Sequence, residues 1–236
     1  LDATTSSPVL ILDDLRRSFH QGTREISVLT GASVALARGQ CVALVGPSGA
    51  GKSTLLHIAG LLETPDSGRV IVSGRDCVTL DDSERTRIRR AEMGFIYQFH
   101  QLLPEFSALE NVAIPQLLLG KSRRAAEARA SDLLCSMGLK ERLDHRPAQL
   151  SGGEQQRTAI CRALANKPRL ILADEPTGNL DPRTSELVFH ELIGLFRHEG
   201  VAALIATHNL ELARRMDRVV VLSGGLLVEV APGALR

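Results

Sequence analysis

Cys41-Val42-Ala43-Leu44-Val45-Gly46-Pro47-Ser48-Gly49-Ala50-Gly51-Lys52-Ser53-Thr54 reads as an apolar strand, a glycine loop and the start of a helix. From Gly46 onward the spacing G-x-x-x-x-G-K-S is that of a phosphate-binding P-loop, whose backbone N–H groups wrap the phosphates of a nucleotide. Gly46, Gly49 and Gly51 allow backbone conformations closed to residues with a Cβ and a close approach to the phosphates. The helix beginning near Lys52 offers unpaired N–H groups and the positive end of its dipole. Lys52 is expected to reach the terminal phosphates and the Ser53 hydroxyl to hold Mg²⁺, with Pro47, Ser48, Ala50 and Thr54 completing the nucleotide-binding loop.

Upstream, 9–12 reads as a short strand, 13–20 leads to a turn at Gln21-Gly22, and the apolar segments 26–29 and 33–36 suggest an antiparallel β-layer. Downstream, 55–62 continues the P-loop helix, 64–68 is turn chemistry and 70–72 is a strand. Asp81-Asp82-Ser83 opens a helix carrying Arg85, Arg87, Arg89 and Arg90, which the interleaved acids Asp81, Asp82, Glu84 and Glu92 mark as a solvated face. A strand at 94–97 ends at Gln98. Helices are then expected at 109–119, at 122–137 with a stop at Gly138, and from Ser151. The α/β pattern resumes with a strand at 169–173, a helix capped by Asp181-Pro182 and running to about 198, and a strand at 201–206. Segments 216–222 and 226–230 form a hairpin through Ser223-Gly224-Gly225. This alternation predicts an α/β fold with a largely parallel sheet covered on both faces and its ligand at the carboxyl ends of the strands.

Composition narrows the class. With 28 basic and 27 acidic residues, the 236-residue chain carries a formal charge of +1 and no electrostatic footprint for nucleic acid. No apolar run approaches the roughly 18 residues of a membrane helix. Cys41, Cys77, Cys135 and Cys161 lie far apart without a C-x-x-C pair, as expected of buried thiols in a reducing compartment such as the cytosol. The polar opening 2–7 reads as a frayed terminus rather than a targeting segment.

Two further stretches carry chemistry. Leu170-Ile171-Leu172-Ala173-Asp174-Glu175 is an apolar strand ending in two carboxylates. Asp174 is placed to hold Mg²⁺ through its waters, and Glu175, one step further, to polarise an attacking water. Leu150-Ser151-Gly152-Gly153-Glu154-Gln155-Gln156-Arg157 has the capping-box spacing at Ser151 and Glu154. Its two glycines weaken a first turn by roughly 1 kcal/mol each relative to Ala. They leave that turn's N–H groups open to an anion.

With these residues the chain resembles the nucleotide-binding subunits of ABC transporters over nearly its whole length. The resemblance implies a P-loop NTPase fold: a RecA-like parallel core with an N-terminal antiparallel β-layer (9–97 and 167–236), and an inserted helical subdomain (98–166), in one ATPase domain over 1–236. It implies ATP and Mg²⁺ as ligands. Glu175, His208 and Gln98 would be catalytic, with Ser53, Gln98 and Asp174 around the metal. Phe19 would stack on adenine, where the family more often has Tyr. Asn179-Leu180-Asp181 would be the D-loop. Ser151, Gly152, Gly153 and Glu154 would contact the ATP held by a second copy in a head-to-tail dimer. Membrane permease subunits would place coupling helices in the groove between core and insert, near Gln98 to Phe106.

Within that family, 95–112, together with 150–157 and 173–181, is most similar to the ATPases of complexes that release lipoproteins from the bacterial inner membrane. That implies a peripheral protein on its cytoplasmic face. ATPases of macrolide-efflux-type pumps and of cell-division complexes are the alternative. Asn209 stands after the switch histidine where the family usually has Asp, and Cys161 where a small Ala is common. The first removes a charge near the site while leaving His208, so tuned rather than lost activity is expected.

Overall fold

A computed structural model describes residues 7–22, 24–231 and 233, apart from the side chains of Gln21 and Arg24. Residues 2–6 of the polar opening lie outside the described residues. In chain order the strands are β1 (Leu10–Gln21), β2 (Arg24–Leu36), β3 (Cys41–Val45), β4 (Ser67–Val72), β5 (Arg75–Asp76), β6 (Met93–Ile96), β7 (Leu170–Asp174), β8 (Ala202–Ala206), β9 (Arg218–Ser223) and β10 (Leu226–Val230). The α-helices are α1 (Lys52–Ala59), α2 (Asp82–Glu92), α3 (Ala108–Leu118), α4 (Arg123–Ser136), α5 (Gly152–Leu164), α6 (Pro182–Glu199) and α7 (Leu210–Ala213).

The strands form a four-stranded antiparallel sheet, β2-β1-β4-β5, and a six-stranded sheet, β10-β9-β3-β8-β7-β6. In the second, β9, β3, β8, β7 and β6 run parallel and β10 returns antiparallel to β9, closing the hairpin expected from Ser223-Gly224-Gly225. Its central strands β3 and β8 are apolar and buried throughout, and β7 up to Asp174, because both of their faces are covered. Cys41, Ala43, Val45, Ile171, Ala173, Ala203 and Ile205 point into a core shared with α3 to α6. Val42, Leu44, Leu170, Leu172, Leu204 and Ala206 point into a second core shared with α1 and the antiparallel sheet.

Local signals set the helix ends. Asp81, Ser107, Ser122, Ser151 and Asp181 each cap a helix by accepting a bond from a first-turn N–H, and Gly200 closes α6 in the left-handed region. The three helices α3, α4 and α5 fall between β6 and β7.

The structure corrects three sequence expectations. Residues 10–21 form one strand rather than a short strand and a connector, because register shifts between Leu12 and Ser18 absorb extra residues as bulges and break the alternation. The α2 arginines are not simply a solvated face. Arg85 donates to the carbonyls of Leu80 and Val78 and to the Thr64 hydroxyl, Arg89 to the Leu61 carbonyl, and Arg90 to the Leu118 carbonyl of α3, so they tie α2 to its surroundings. Cys135 is exposed on α4, whereas Cys41, Cys77 and Cys161 are buried, and burial pushes the Cys41 thiol up to about 11.

The seam between β6 and α5 is tight. A Cβ on Gly94 would lie 2.3 Å from the Ala163 carbonyl oxygen, so only glycine lets this strand pass under the end of α5. Gly94→Ala should cost about 1–3 kcal/mol through overpacking and lower the thermal midpoint by roughly 3–10 °C. Thermal unfolding followed by circular dichroism measures it; an unchanged midpoint contradicts the close approach.

Candidate functional site

Parallel register brings three strand ends to one edge. Leu44 of β3 and Asp174 of β7 both pair with Ala206 of β8, so the P-loop, Glu175 and Thr207-His208 leave the sheet together. The Glu175 N–H donates to Ala206 O at 2.9 Å, and the Thr207 N–H donates to Leu44 O at 3.1 Å. Glu175 sits at φ 48°, in the left-handed region that costs a non-glycine residue on the order of 1–3 kcal/mol. The turn thereby aims its carboxylate back across the strand ends.

A pocket of about 510 Å³ opens there, lined by Ser48, Gly49, Lys52, Ser53 and Thr54 of the P-loop region and by Gln98, Asp174, Glu175 and His208. Lys52 Nζ folds over the loop, donating to Gly46 O at 2.8 Å and Pro47 O at 3.1 Å. Ala50 packs into the core beneath. Gly51 has φ 100°, and a Cβ there would lie 2.4 Å from Val28 Cγ1, so the turn into α1 requires glycine twice over. Sequence reasoning missed Val28, which comes from β2 and lines the same pocket.

The acidic pair separates as strand alternation implies. The Ser53 hydroxyl donates to Asp174 Oδ2 at 2.6 Å. Glu175 Oε2 lies 2.9 Å from His208 Nδ1, with the carboxylate largely buried at 15% exposure and the imidazole open at 71%. Asn209, the departure beside His208, caps α7 by accepting from the Glu211 and Leu212 N–H groups. Its amide oxygen does this without the charge of an Asp.

Gln98 and Asn179 hold each other: Gln98 Nε2 donates to Asn179 Oδ1 at 2.9 Å, and Asn179 Nδ2 donates to Gln98 O at 3.0 Å. Leu180 packs against the core, and Asp181 caps α6. The hydroxyl and N–H of Thr184 hold the Asp181 carboxyl below the usual range. At the start of α5 the capping box is complete, with Glu154 N–H donating to Ser151 Oγ and Ser151 N–H to Glu154 Oε2. Arg142 Nε also donates to Glu154 Oε1 at 2.9 Å, so the Glu154 carboxylate is committed to its own chain. Its carboxyl is held below the usual range, chiefly by the Ser151 N–H. Ser151 and Gly152 are exposed, and none of residues 151–154 lines the P-loop pocket.

Phe19 is also outside that lining. Its ring is 38% exposed on β1, with the Arg17 guanidinium 4.7 Å from its centroid. A groove of about 450 Å³ runs between α2, β6, α3 and α5, lined by Leu62, Arg89, Met93, Phe95, Tyr97, Leu118 and Arg162 among others. It lies beside the 98–106 segment rather than on it, although Phe99, Leu103 and Phe106 of that segment are exposed.

Among the described residues no group of three or more His, Cys, Asp or Glu could hold a metal by itself. One hydroxyl and one carboxylate in contact, Ser53 and Asp174, with the Gln98 amide lining the same pocket, fit a hard cation that takes its other ligands from water and phosphate, as Mg²⁺ does. No described helix is long and apolar enough to cross a membrane.

The family model described as "ABC transporter" matches residues 29–178. The chain is 62% identical over 221 residues to the lipoprotein-releasing system ATP-binding protein LolD of Paramagnetospirillum magneticum, covering 94% of this chain and 98% of that protein. It is 63% identical over 223 residues to LolD of Cereibacter sphaeroides, covering 94% and 100%. Among solved structures, the ATP-binding cassette MJ0796, a dimer in a post-hydrolysis state bound to ADP and Pi, superposes with a TM-score of 0.86 at 37% identity, covering 94% of this chain and 98% of that one.

Proposed function

Because the chain belongs to the ABC transporter family, we propose that it is the ATP-hydrolysing subunit of a complex that releases lipoproteins from the bacterial inner membrane. The observation that carries the ATPase reading is one pocket in which the P-loop, the Ser53–Asp174 contact at 2.6 Å and the Glu175–His208 contact at 2.9 Å meet. Identity above 60% with LolD proteins over nearly their whole lengths supports the lipoprotein cargo.

ATP phosphates take the P-loop N–H groups and the α1 N-terminus, and Lys52 turns from the carbonyls of Gly46 and Pro47 to the terminal phosphates. Ser53, Asp174 and Gln98 would hold Mg²⁺, which would supply neutralisation of negative charge at the transferred phosphoryl group. Glu175 orients the attacking water and accepts its proton, while His208 fixes the carboxylate's direction. Phe19 stacks on the base. Ser151, Gly152 and Gly153 of a second copy close on the γ-phosphate, so ATP favours a closed dimer and hydrolysis releases it. The α/β core (9–97 and 167–236) and the helical subdomain (98–166) then act as two parts of one domain.

The membrane partner presents a helical segment to the groove between them, beside Phe99, Leu103 and Phe106. This places the protein on the cytoplasmic face of the membrane. The test is to purify the chain with its membrane subunits, reconstitute them in liposomes loaded with a lipoprotein, and measure ATP-dependent release to a soluble acceptor. Release is expected. Recovery of efflux or division subunits instead, with no lipoprotein released, removes the cargo assignment while leaving the ATPase.

A further inference from the structure

We propose that Arg162 is a positioning residue for hydrolysis: from the far end of α5 it grips the loop that carries Gln98, through the carbonyls of His100 and Gln101. The inference rests on the ATPase reading above.

The loop after β6 is held by side chains. Tyr97 O accepts from Gln156 Nε2 at 3.3 Å, Gln98 O from Asn179 Nδ2 at 3.0 Å, His100 O from Arg162 Nη2 at 2.8 Å and Gln101 O from Arg162 Nη1 at 2.7 Å. Gln101 stands at φ 47°, a conformation that a non-glycine residue keeps only where its surroundings impose it. Arg162 supplies that constraint, since its planar fork bridges two carbonyls that a lysine point charge reaches only one at a time. Among the described residues it has no carboxylate partner, and burial draws its pKa down. Its charge is therefore directed at the loop's carbonyl dipoles, where charge-assisted bonds are stronger than neutral ones.

The geometry gives this grip a mechanical meaning. Helix α5 has 13 residues and spans roughly 20 Å. It begins at Ser151-Gly152-Gly153, the stretch expected to meet the partner's ATP, and carries Gln156 and Arg162 along the loop. Movement at the signature end is thus delivered to Gln98 by one rigid element. Arg162 also lines the α2–β6–α3–α5 groove, so the same guanidinium faces a segment docked there.

Arg162→Met keeps the length and apolar stem of the side chain and removes the fork. Binding of a fluorescent ATP analogue and KM should be unchanged, while kcat falls by about 10- to 100-fold, the scale expected when a group near the reaction is misplaced. In a Gln98→Ala background the same substitution should cost nothing further, because it acts through Gln98. Additive losses, or an unchanged kcat, overturn the proposal, as does a parallel loss of ATP binding and thermal stability. Amide hydrogen exchange supplies a readout independent of turnover. A peptide covering 97–103 should exchange faster in Arg162→Met, and equal exchange overturns the grip even if hydrolysis is never detected. Absence of hydrolysis in the parental chain would instead sink the ATPase reading. If the Met variant fails to fold, Arg162→Lys is measured in both assays and should show smaller changes of the same kind.

Discussion

Glu175→Gln should lower ATP turnover by about 10²- to 10⁴-fold, the range associated with loss of a general base, and should accumulate as an ATP-bound dimer. The amide has the carboxylate's shape and still offers an oxygen to His208, now 2.9 Å from Glu175 Oε2, so the φ 48° turn and the strand ends persist. What is lost is the proposed ability to take a proton from the attacking water. If ATP favours closure and hydrolysis removes that preference, as proposed, blocking hydrolysis shifts the population toward the dimer. Size-exclusion chromatography with Mg-ATP, beside a phosphate-release assay, measures both effects. Hydrolysis at the parental rate would show that Glu175 is not the base.

A second large effect concerns the sharing of sites between copies. Lys52→Ala removes the cation proposed to reach the terminal phosphates, and Ser151→Arg fills the exposed start of α5 with a bulky side chain. Each variant alone should lose activity by about 10²- to 10³-fold, as when a transition-state contact is removed. In a head-to-tail dimer of one copy of each, one site combines both lesions and the other has an intact P-loop facing an intact signature. Mixing the two inactive proteins should therefore restore hydrolysis that neither shows alone. Residues 151–154 do not line the P-loop pocket of their own chain, which is why complementation is the expected result. A mixture as silent as its components would mean that each chain completes its own site.

Much of the architecture was legible because its signals are local. Asp181-Pro182 announces α6 through a cap and a preset first turn, and Ser151 with Glu154 announces α5 through reciprocal bonds three residues apart. Apolar runs such as 41–45 and 202–206 mark strands covered on both faces. The bulged β1 was harder, because shifts of register at Leu15 and Ser18 interrupt the alternation from which a strand is recognised. The α2 arginines misled for a similar reason: interleaved charge looks like solvated surface until the loops that receive those guanidiniums are folded beside them.

By itself, then, the sequence determined which residue types stand at the ends of which strands: a P-loop after β3, two carboxylates after β7 and a histidine after β8. Their contacts were decided only by the tertiary structure. Ser53 meets Asp174 across 121 residues, Gln98 meets Asn179 across 81, and Arg162 reaches back 61 residues to Gln101. No periodicity or spacing encodes such pairs, because parallel register, strand twist and the path of the inserted helices bring them together. A lone cation in the apolar run Ala159-Ile160-Cys161-Arg162-Ala163-Leu164 was the one trace of the Arg162 grip visible beforehand. Its meaning depended on which carbonyls the fold would set against it.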